Sequence, residues 1–266
     1  MFVIPEGNLL FARCEAVNTI TENAPSKMGG EDLNETSGKN LLTIETITVE
    51  TKGLLFDMDG VLISSIGSVV RCWQRWCKQY NVPNAESFHV PHGTRAVDIV
   101  RMLKPEFDEA QMAEGLHVIE EMEVEDTADL TVLPGVKALL ARLPPERWAV
   151  VTSATRRLLI GRLEAAGLPV PVNYISGDMV VRGKPDPEPY RRGAELLGFA
   201  PAECIVVEDA PSGVGAGAAA GCRVLGVLGT HPLEKLGAAT WIAQSLEAVT
   251  VTAKADGLEL RFTPVG

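Results

Sequence analysis

Three short apolar runs in this chain each stop at a pair of polar residues, and this recurrence constrains the fold more than any other feature. LLF runs into Asp57-Met58-Asp59-Gly60, WAVV into Thr152-Ser153, and CIVV into Glu208-Asp209. Continuous apolar runs of this length suit strands covered on both faces, as in a parallel sheet. Between and beyond them, VKALLARL, RRLLIGRLEAAGL, PYRRGAELLGF and GVGAGAAAGC read as helices, while NYIS and RVLGVL read as further strands. Strands alternating with helices predict a doubly wound parallel α/β sheet. Right-handed crossovers then put helices on both faces. In such a sheet ligands sit beyond the carboxyl ends of the strands, so the three polar tips are expected to meet.

The rest of the chain divides around this core. Residues 1–40, rich in Asn, Ser, Thr, Glu and Gly, show neither helical nor strand periodicity and are expected to be a flexible extension. The alternation LLTIETITVE suits an edge strand, so the folded body is expected to begin near Leu41 and to comprise residues 41–65 and 133–266. Residues 66–132 read as a helical insertion with no strand of its own. Within it Val69, Trp73, Trp76 and Tyr80 recur at helical spacing and mark a core stripe. The tail LEAVTVTAKADGLELRF reads as a hairpin with Asp256-Gly257 in its turn.

Composition excludes several classes of function. A chain of 266 residues that is 46% hydrophobic has material for one large domain or two unequal ones. No apolar run approaches the roughly 20 residues that cross a bilayer. The first residues also lack the basic start and apolar core of a secretory signal, so a cytoplasmic protein is expected. A formal charge of −11 argues against nucleic acid and anionic membranes as partners, which need clustered Lys and Arg. The five cysteines, Cys14, Cys72, Cys77, Cys204 and Cys222, form no zinc-ligand spacing and read as reduced core residues. The sequence leaves oligomeric state open and is compatible with a monomer.

Four acidic side chains, Asp57, Asp59, Glu208 and Asp209, crowded into one crevice would repel one another unless a cation sat among them. All-oxygen ligands without His or Cys favour Mg²⁺, which also binds substrate phosphate. Lys184, in the proline-punctuated stretch RGKPDPEPY, is placed to face carboxylates and a phosphate together. A carboxylate nucleophile, a metal, a hydroxyl donor and a lysine supply what phosphoryl transfer requires. Taken singly, each has a plainer reading as a turn, a helix cap or a solvated charge. Gly213, Gly215 and Gly217 invite a dinucleotide-binding reading, but Glu208 and Asp209 beside them would repel a pyrophosphate. Close helix–sheet packing is the better account of these glycines. His117 and His231 show no partners in the sequence and read as ordinary histidines.

The set FDMDGVL, VVTSAT, GKPDPEPY and VVEDAPSGVGAG resembles, in order, the four motifs of the haloacid dehalogenase superfamily of phosphohydrolases. The wording around the motifs, particularly PHGTRAVDIV and RWAVVTSAT, is similar to the subgroup of 2-deoxyglucose-6-phosphatases, glycerol-3-phosphatases and bacterial sugar or hexitol phosphatases. The resemblance covers residues from about 45 to 266 and implies a Mg²⁺-dependent phosphatase for a small phosphorylated sugar or polyol. On it, Asp57 attacks phosphorus, Asp59 protonates the leaving oxygen and later deprotonates water, and Thr152 or Ser153 binds a phosphoryl oxygen. Lys184 stabilises phosphate and nucleophile. Asp57, the carbonyl of Asp59 and Asp209 hold the metal, with Glu208 as a direct or outer ligand. The insertion corresponds to a mobile cap, in which His92, Gly93, Thr94 and Arg95 resemble a substrate-specificity loop; Arg95 is either a substrate donor or an exposed residue at a helix start. Val61 and Ser64 depart from the Thr and Asp usual at those places. Val61 also occurs in a mutase branch, so a β-phosphoglucomutase-like phosphotransferase remains an alternative, as does a silent member that only binds a metabolite.

Overall fold

The apolar runs fold as the central strands of one parallel sheet. The computed structural model describes residues 45–265, so the expectation for residues 1–40 and the residue Cys14 lie outside them. The strands and helices are β1 (Ile47–Thr51), β2 (Gly53–Phe56), β3 (Ile63–Ser64), α1 (Ile66–Gln79), α2 (Ala96–Leu103), α3 (Glu109–Glu125), β4 (Thr131–Val132), α4 (Val136–Leu140), β5 (Trp148–Val151), α5 (Arg156–Ala165), β6 (Tyr174–Ile175), α6 (Glu188–Leu196), β7 (Cys204–Glu208), α7 (Pro211–Ala220), β8 (Arg223–Val227), β9 (Trp241–Ala243), β10 (Thr250–Lys254) and β11 (Gly257–Phe262). Six strands form a parallel sheet in the order β6-β5-β2-β7-β8-β9. From central β2 the chain builds outward first through β5 to β6, then on the other side through β7 to β9. This reversal puts the crevice at the carboxyl end of β2, directly after which Asp57 lies.

Alternate residues of each strand feed opposite layers. Leu54, Phe56, Val150 and Val207 join one buried cluster with Leu139 of α4 and Leu159 of α5. Leu55, Val151 and Val206 join another with Tyr190 and Ala194 of α6 and Val214 of α7. Burying each such side chain contributes about 1.5–3 kcal/mol. Gly213 and Gly217 explain how α7 packs so closely. A Cβ on Gly217 would stand 3.0 Å from Val224, and one on Gly213 would overlap Glu208.

The insertion forms its own cluster, in which Trp73 and Trp76 of α1 pack with Ile99 and Val100 of α2 and Ile119 of α3. Trp76 Nε1 donates to the Gly115 carbonyl at 2.8 Å, so the aromatic stripe is core. Asp108 caps α3 through a reciprocal capping box with Gln111.

The expected edge strand is β1, which pairs antiparallel with β11 at the edge of a separate three-stranded sheet β1-β11-β10. Two local expectations are corrected. The register Lys254↔Gly257 makes Ala255-Asp256 the hairpin turn and starts β11 at Gly257. The insertion range contains β4, which pairs with β3 where the chain leaves and rejoins the core. Among the described residues, no helix is long and apolar enough to cross a membrane.

Candidate active site

Immediately after β2 the chain turns back on itself. The Asp57 amide donates to the Val207 carbonyl at 3.0 Å, and the Leu62 amide to the Met58 carbonyl at 2.9 Å. Gly60 adopts φ +89°, and a Cβ there would stand 2.0 Å from Asp209 Oδ2, so both the backbone and the space require glycine. The turn brings the loop against the end of β7.

Lys184, buried beneath this turn, spends all three of its N–H groups on protein acceptors. Nζ lies 2.6 Å from Asp57 Oδ1, 2.7 Å from Glu208 Oε1 and 3.0 Å from the Val151 carbonyl. Burial works against its charge, but Asp57 and Glu208 outweigh that and hold the ammonium above the ordinary lysine range. Glu208 is equally committed. Oε1 also accepts from the Tyr190 hydroxyl at 2.8 Å, and Oε2 accepts the amides of Asp209 and Ala210 at 2.9 and 3.0 Å. Lys184 thus grips the Asp57 carboxylate, and Glu208 anchors both Lys184 and the start of α7.

Asp57, Glu208 and Asp209 each offer a carboxylate oxygen within 4.8 Å of the others. Burial, with a further push from Glu208, raises Asp57 to about 7 despite Lys184. Burial first, then Glu208 and Asp57, raises Asp209 to about 8. The Asp209 Oδ2 atom accepts from Thr230, while Oδ1 is buried with no hydrogen-bond partner among the described residues. A buried carboxylate oxygen without a donor, beside a second carboxylate, is the environment a hard divalent cation fits.

The Asp59 carboxylate turns away from this cluster. Oδ1 accepts from Ser65 Oγ at 2.6 Å, and Oδ2 from Arg162 Nη1 at 2.9 Å. Arg162 is a site residue that the sequence reading missed. It is buried on α5, and its Nη2 reaches Glu123 of α3 at 3.3 Å. The signal was present: Arg162 falls four residues after Leu158 and three after Leu159, on the face that packs inward.

Asp57, Asp59, Thr152, Ser153 and Asp209 line a cavity of about 490 Å³, whose far wall comes from the insertion, including Val69, Trp73 and Ile119. Thr152 Oγ1 accepts the Ala154 amide at 3.1 Å. Ser153 Oγ instead donates to the Gly93 carbonyl at 2.6 Å, and Ser212 Oγ donates to the His92 carbonyl at 3.1 Å. The loop from His92 to Arg95 is thus fastened to the core, and the Thr94 amide closes its turn on the Pro91 carbonyl at 3.2 Å. Arg95 is largely buried and lines the cavity. Its Nε and Nη2 donate to Asp98 at 2.7 and 3.1 Å, and Nη1 donates to the Val180 carbonyl at 2.9 Å. His231 also proves to be close to the site, with Nδ1 3.2 Å from the Asp209 carbonyl and its ring edge-on to His92 at 5.4 Å. His117 lies on the exposed face of α3, 3.6 Å from Glu121.

The chain is similar to known proteins in sequence and in fold. The family model for haloacid dehalogenase-like hydrolases matches residues 51–221. The chain is 39% identical to hexitol phosphatase A of Escherichia coli over 77% of its own length and 96% of that protein's. It is 33% identical to glycerol-1-phosphate phosphohydrolase 2 of Saccharomyces cerevisiae, over 73% of this chain and 82% of the relative. The crystal structure of a hydrolase from Pseudomonas syringae superposes with a TM-score of 0.63 at 24% identity, covering 74% of this chain and 94% of that one, which shows a shared fold. With the motifs, the sheet order and these matches in agreement, the chain belongs to the haloacid dehalogenase-like hydrolase family.

Proposed function

We propose that this protein is a Mg²⁺-dependent phosphatase of small sugar or polyol phosphates, with Asp57 as nucleophile and Asp59 as acid and base. The observation that carries the reading is the grip of buried Lys184 on Asp57 beside the orphaned oxygen of Asp209. In the first step an Asp57 carboxylate oxygen attacks phosphorus, the ester P–O bond breaks, and Asp59 gives its proton to the leaving oxygen. In the second, a water oxygen attacks the aspartyl-phosphate, Asp59 takes the water proton, and the bond from phosphorus to Asp57 breaks to release inorganic phosphate. Thr152 donates its hydroxyl to a phosphoryl oxygen. Mg²⁺ held by Asp57, Asp209 and the Asp59 carbonyl would supply the positive charge that offsets the carboxylates and the phosphate oxygens.

Residues 66–132 act in this reading as the cap, and the cavity suits a small organic leaving group. Relatives named for hexitol, glycerol-1-phosphate and 2-deoxyglucose-6-phosphate support a sugar or polyol ester as the substrate. A cytoplasmic setting fits the four described cysteines, which are all free and buried.

The test is phosphate release, with and without Mg²⁺, from sorbitol 6-phosphate, glycerol 1-phosphate, 2-deoxyglucose 6-phosphate and β-glucose 1-phosphate. Mg²⁺-dependent release from at least one ester, lost in Asp57→Asn, is expected. Conversion of β-glucose 1-phosphate to glucose 6-phosphate without net phosphate would make the protein a mutase. Binding of an ester with no turnover of any would make it a sensor.

A further inference from the structure

Helix α5 carries three arginines, of which Arg156 and Arg157 are exposed and Arg162 is buried. Arg162 lies between two carboxylates from different parts of the chain. Nη1 donates to Asp59 Oδ2 at 2.9 Å and Nη2 to Glu123 Oε1 at 3.3 Å, while Nε is buried with no partner among the described residues. The other oxygen of Asp59 accepts from Ser65, which immediately precedes α1 at the start of the insertion. Both oxygens of the Asp59 carboxyl are therefore held from outside its own loop, in a side chain that lines the cavity and is 28% exposed.

Fastening the insertion to the core does not explain this arrangement well. Buried ion pairs are often no better for stability than well-packed apolar residues, and an unpaired buried N–H costs free energy outright. Orientation explains it better. A group that transfers a proton must be held within hydrogen-bond reach of the atom it serves, and a planar guanidinium fixes a carboxylate's direction more tightly than a flexible ammonium does.

We infer that Arg162 is a positioning residue for Asp59, aiming its carboxyl at the leaving oxygen, and that Glu123 of α3 holds the far side of the guanidinium in place. The inference rests on the reading of Asp59 as the proton donor. It makes the aim of that donor depend on the insertion as well as on the core, because Glu123 and Ser65 both lie outside the parallel sheet's own elements.

The test compares two esters in the full chain with Mg²⁺. The alkoxide leaving group of sorbitol 6-phosphate needs a proton, whereas the 4-nitrophenolate of p-nitrophenyl phosphate leaves without one. The constant kcat/KM reports the steps up to ester cleavage and so isolates this difference. Arg162→Met in a Glu123→Gln background, which leaves no buried charge unpaired at Glu123, is expected to lose about 10- to 100-fold on sorbitol 6-phosphate and less than about 3-fold on p-nitrophenyl phosphate. Arg162→Lys, which keeps the buried charge and guards against failure to fold, is expected to show the same selectivity at about 3- to 10-fold. Asp59→Asn is measured in parallel and should show the selectivity most strongly. If Asp59→Asn is selective while the Arg162 variants lose equally on both esters, or on neither, the positioning role is overturned. If Asp59→Asn is itself unselective, the proton-donor reading fails and this inference fails with it.

Discussion

Lys184 Nζ stands 2.6 Å from Asp57 Oδ1 with both side chains buried, so neither charge has solvent to fall back on. Removing the ammonium would leave Asp57 and Glu208 facing each other unpaired. Lys184→Met is therefore expected to destabilise the fold by about 3–5 kcal/mol in urea titration, and to abolish turnover. A loss below about 1 kcal/mol would mean that the pair matters less to the fold than its burial implies.

Cation binding should depend on pH with a definite sign. Asp57 and Asp209 are raised to about 7 and 8 from ordinary values of 3.8, so without metal their contribution to stability is present below about pH 4 and lost as pH rises through 7 to 8. Mg²⁺ needs the deprotonated carboxylates and relieves their repulsion. The rise in Tm on adding Mg²⁺ should accordingly be much larger at pH 8 than at pH 5.5, and Asp209→Asn should erase the difference. Equal rises at both pH values would place the cation elsewhere.

Glu123 gives a second pH test, away from the metal cluster. Burial, reinforced by Asp59 and opposed by Arg162, raises it to about 7 from 4.5. A raised carboxyl favours folding below its unfolded value and loses that advantage as pH climbs through the folded one. Between pH 4.5 and 7 wild type should thus lose stability relative to Glu123→Gln by about 1.4 kcal/mol per pH unit, or about 3 kcal/mol across the window. Denaturant melts of both proteins at pH 5 and pH 7.5 would show it; parallel stabilities would refute it.

Thr152 and Ser153 should separate by kinetics. Ser153 Oγ is spent on the Gly93 carbonyl, whereas among the described residues the Thr152 hydroxyl proton meets no acceptor. Thr152→Ala is expected to lower kcat about 100-fold, as loss of a donor to a charged oxygen does. Ser153→Ala should shift KM by no more than about 5-fold, the scale of one neutral hydrogen bond. The reverse pattern would exchange their roles.

Much of this architecture was legible because buried strands announce themselves as apolar runs and their polar tips follow at once. Asp57, Lys184 and Asp209 come together as the doubly wound order requires. What escaped was information carried by long-range pairing. β1 looks like any edge strand until β11, more than 200 residues later, supplies its partner. Trp241–Ala243 is too short a strand to be recognised without β8 beside it. Arg162 was hidden among the charges of RRLLIGRLEAAGL, and only its place on the inward face set it apart. The bond between Lys184 and Glu208 is likewise invisible in the sequence, which cannot count how many donors and acceptors are already taken.

The cavity has two authors within one chain. The groups proposed to meet the phosphate belong to the sheet's tips, while Val69, Trp73, Ile99, Leu116 and Ile119 on its far side belong to the insertion. Substitutions in that second set can redraw the shape accepted while leaving Asp57 and its supports intact. Selection, or a protein engineer, can therefore retune which ester is admitted by editing one contiguous stretch of gene.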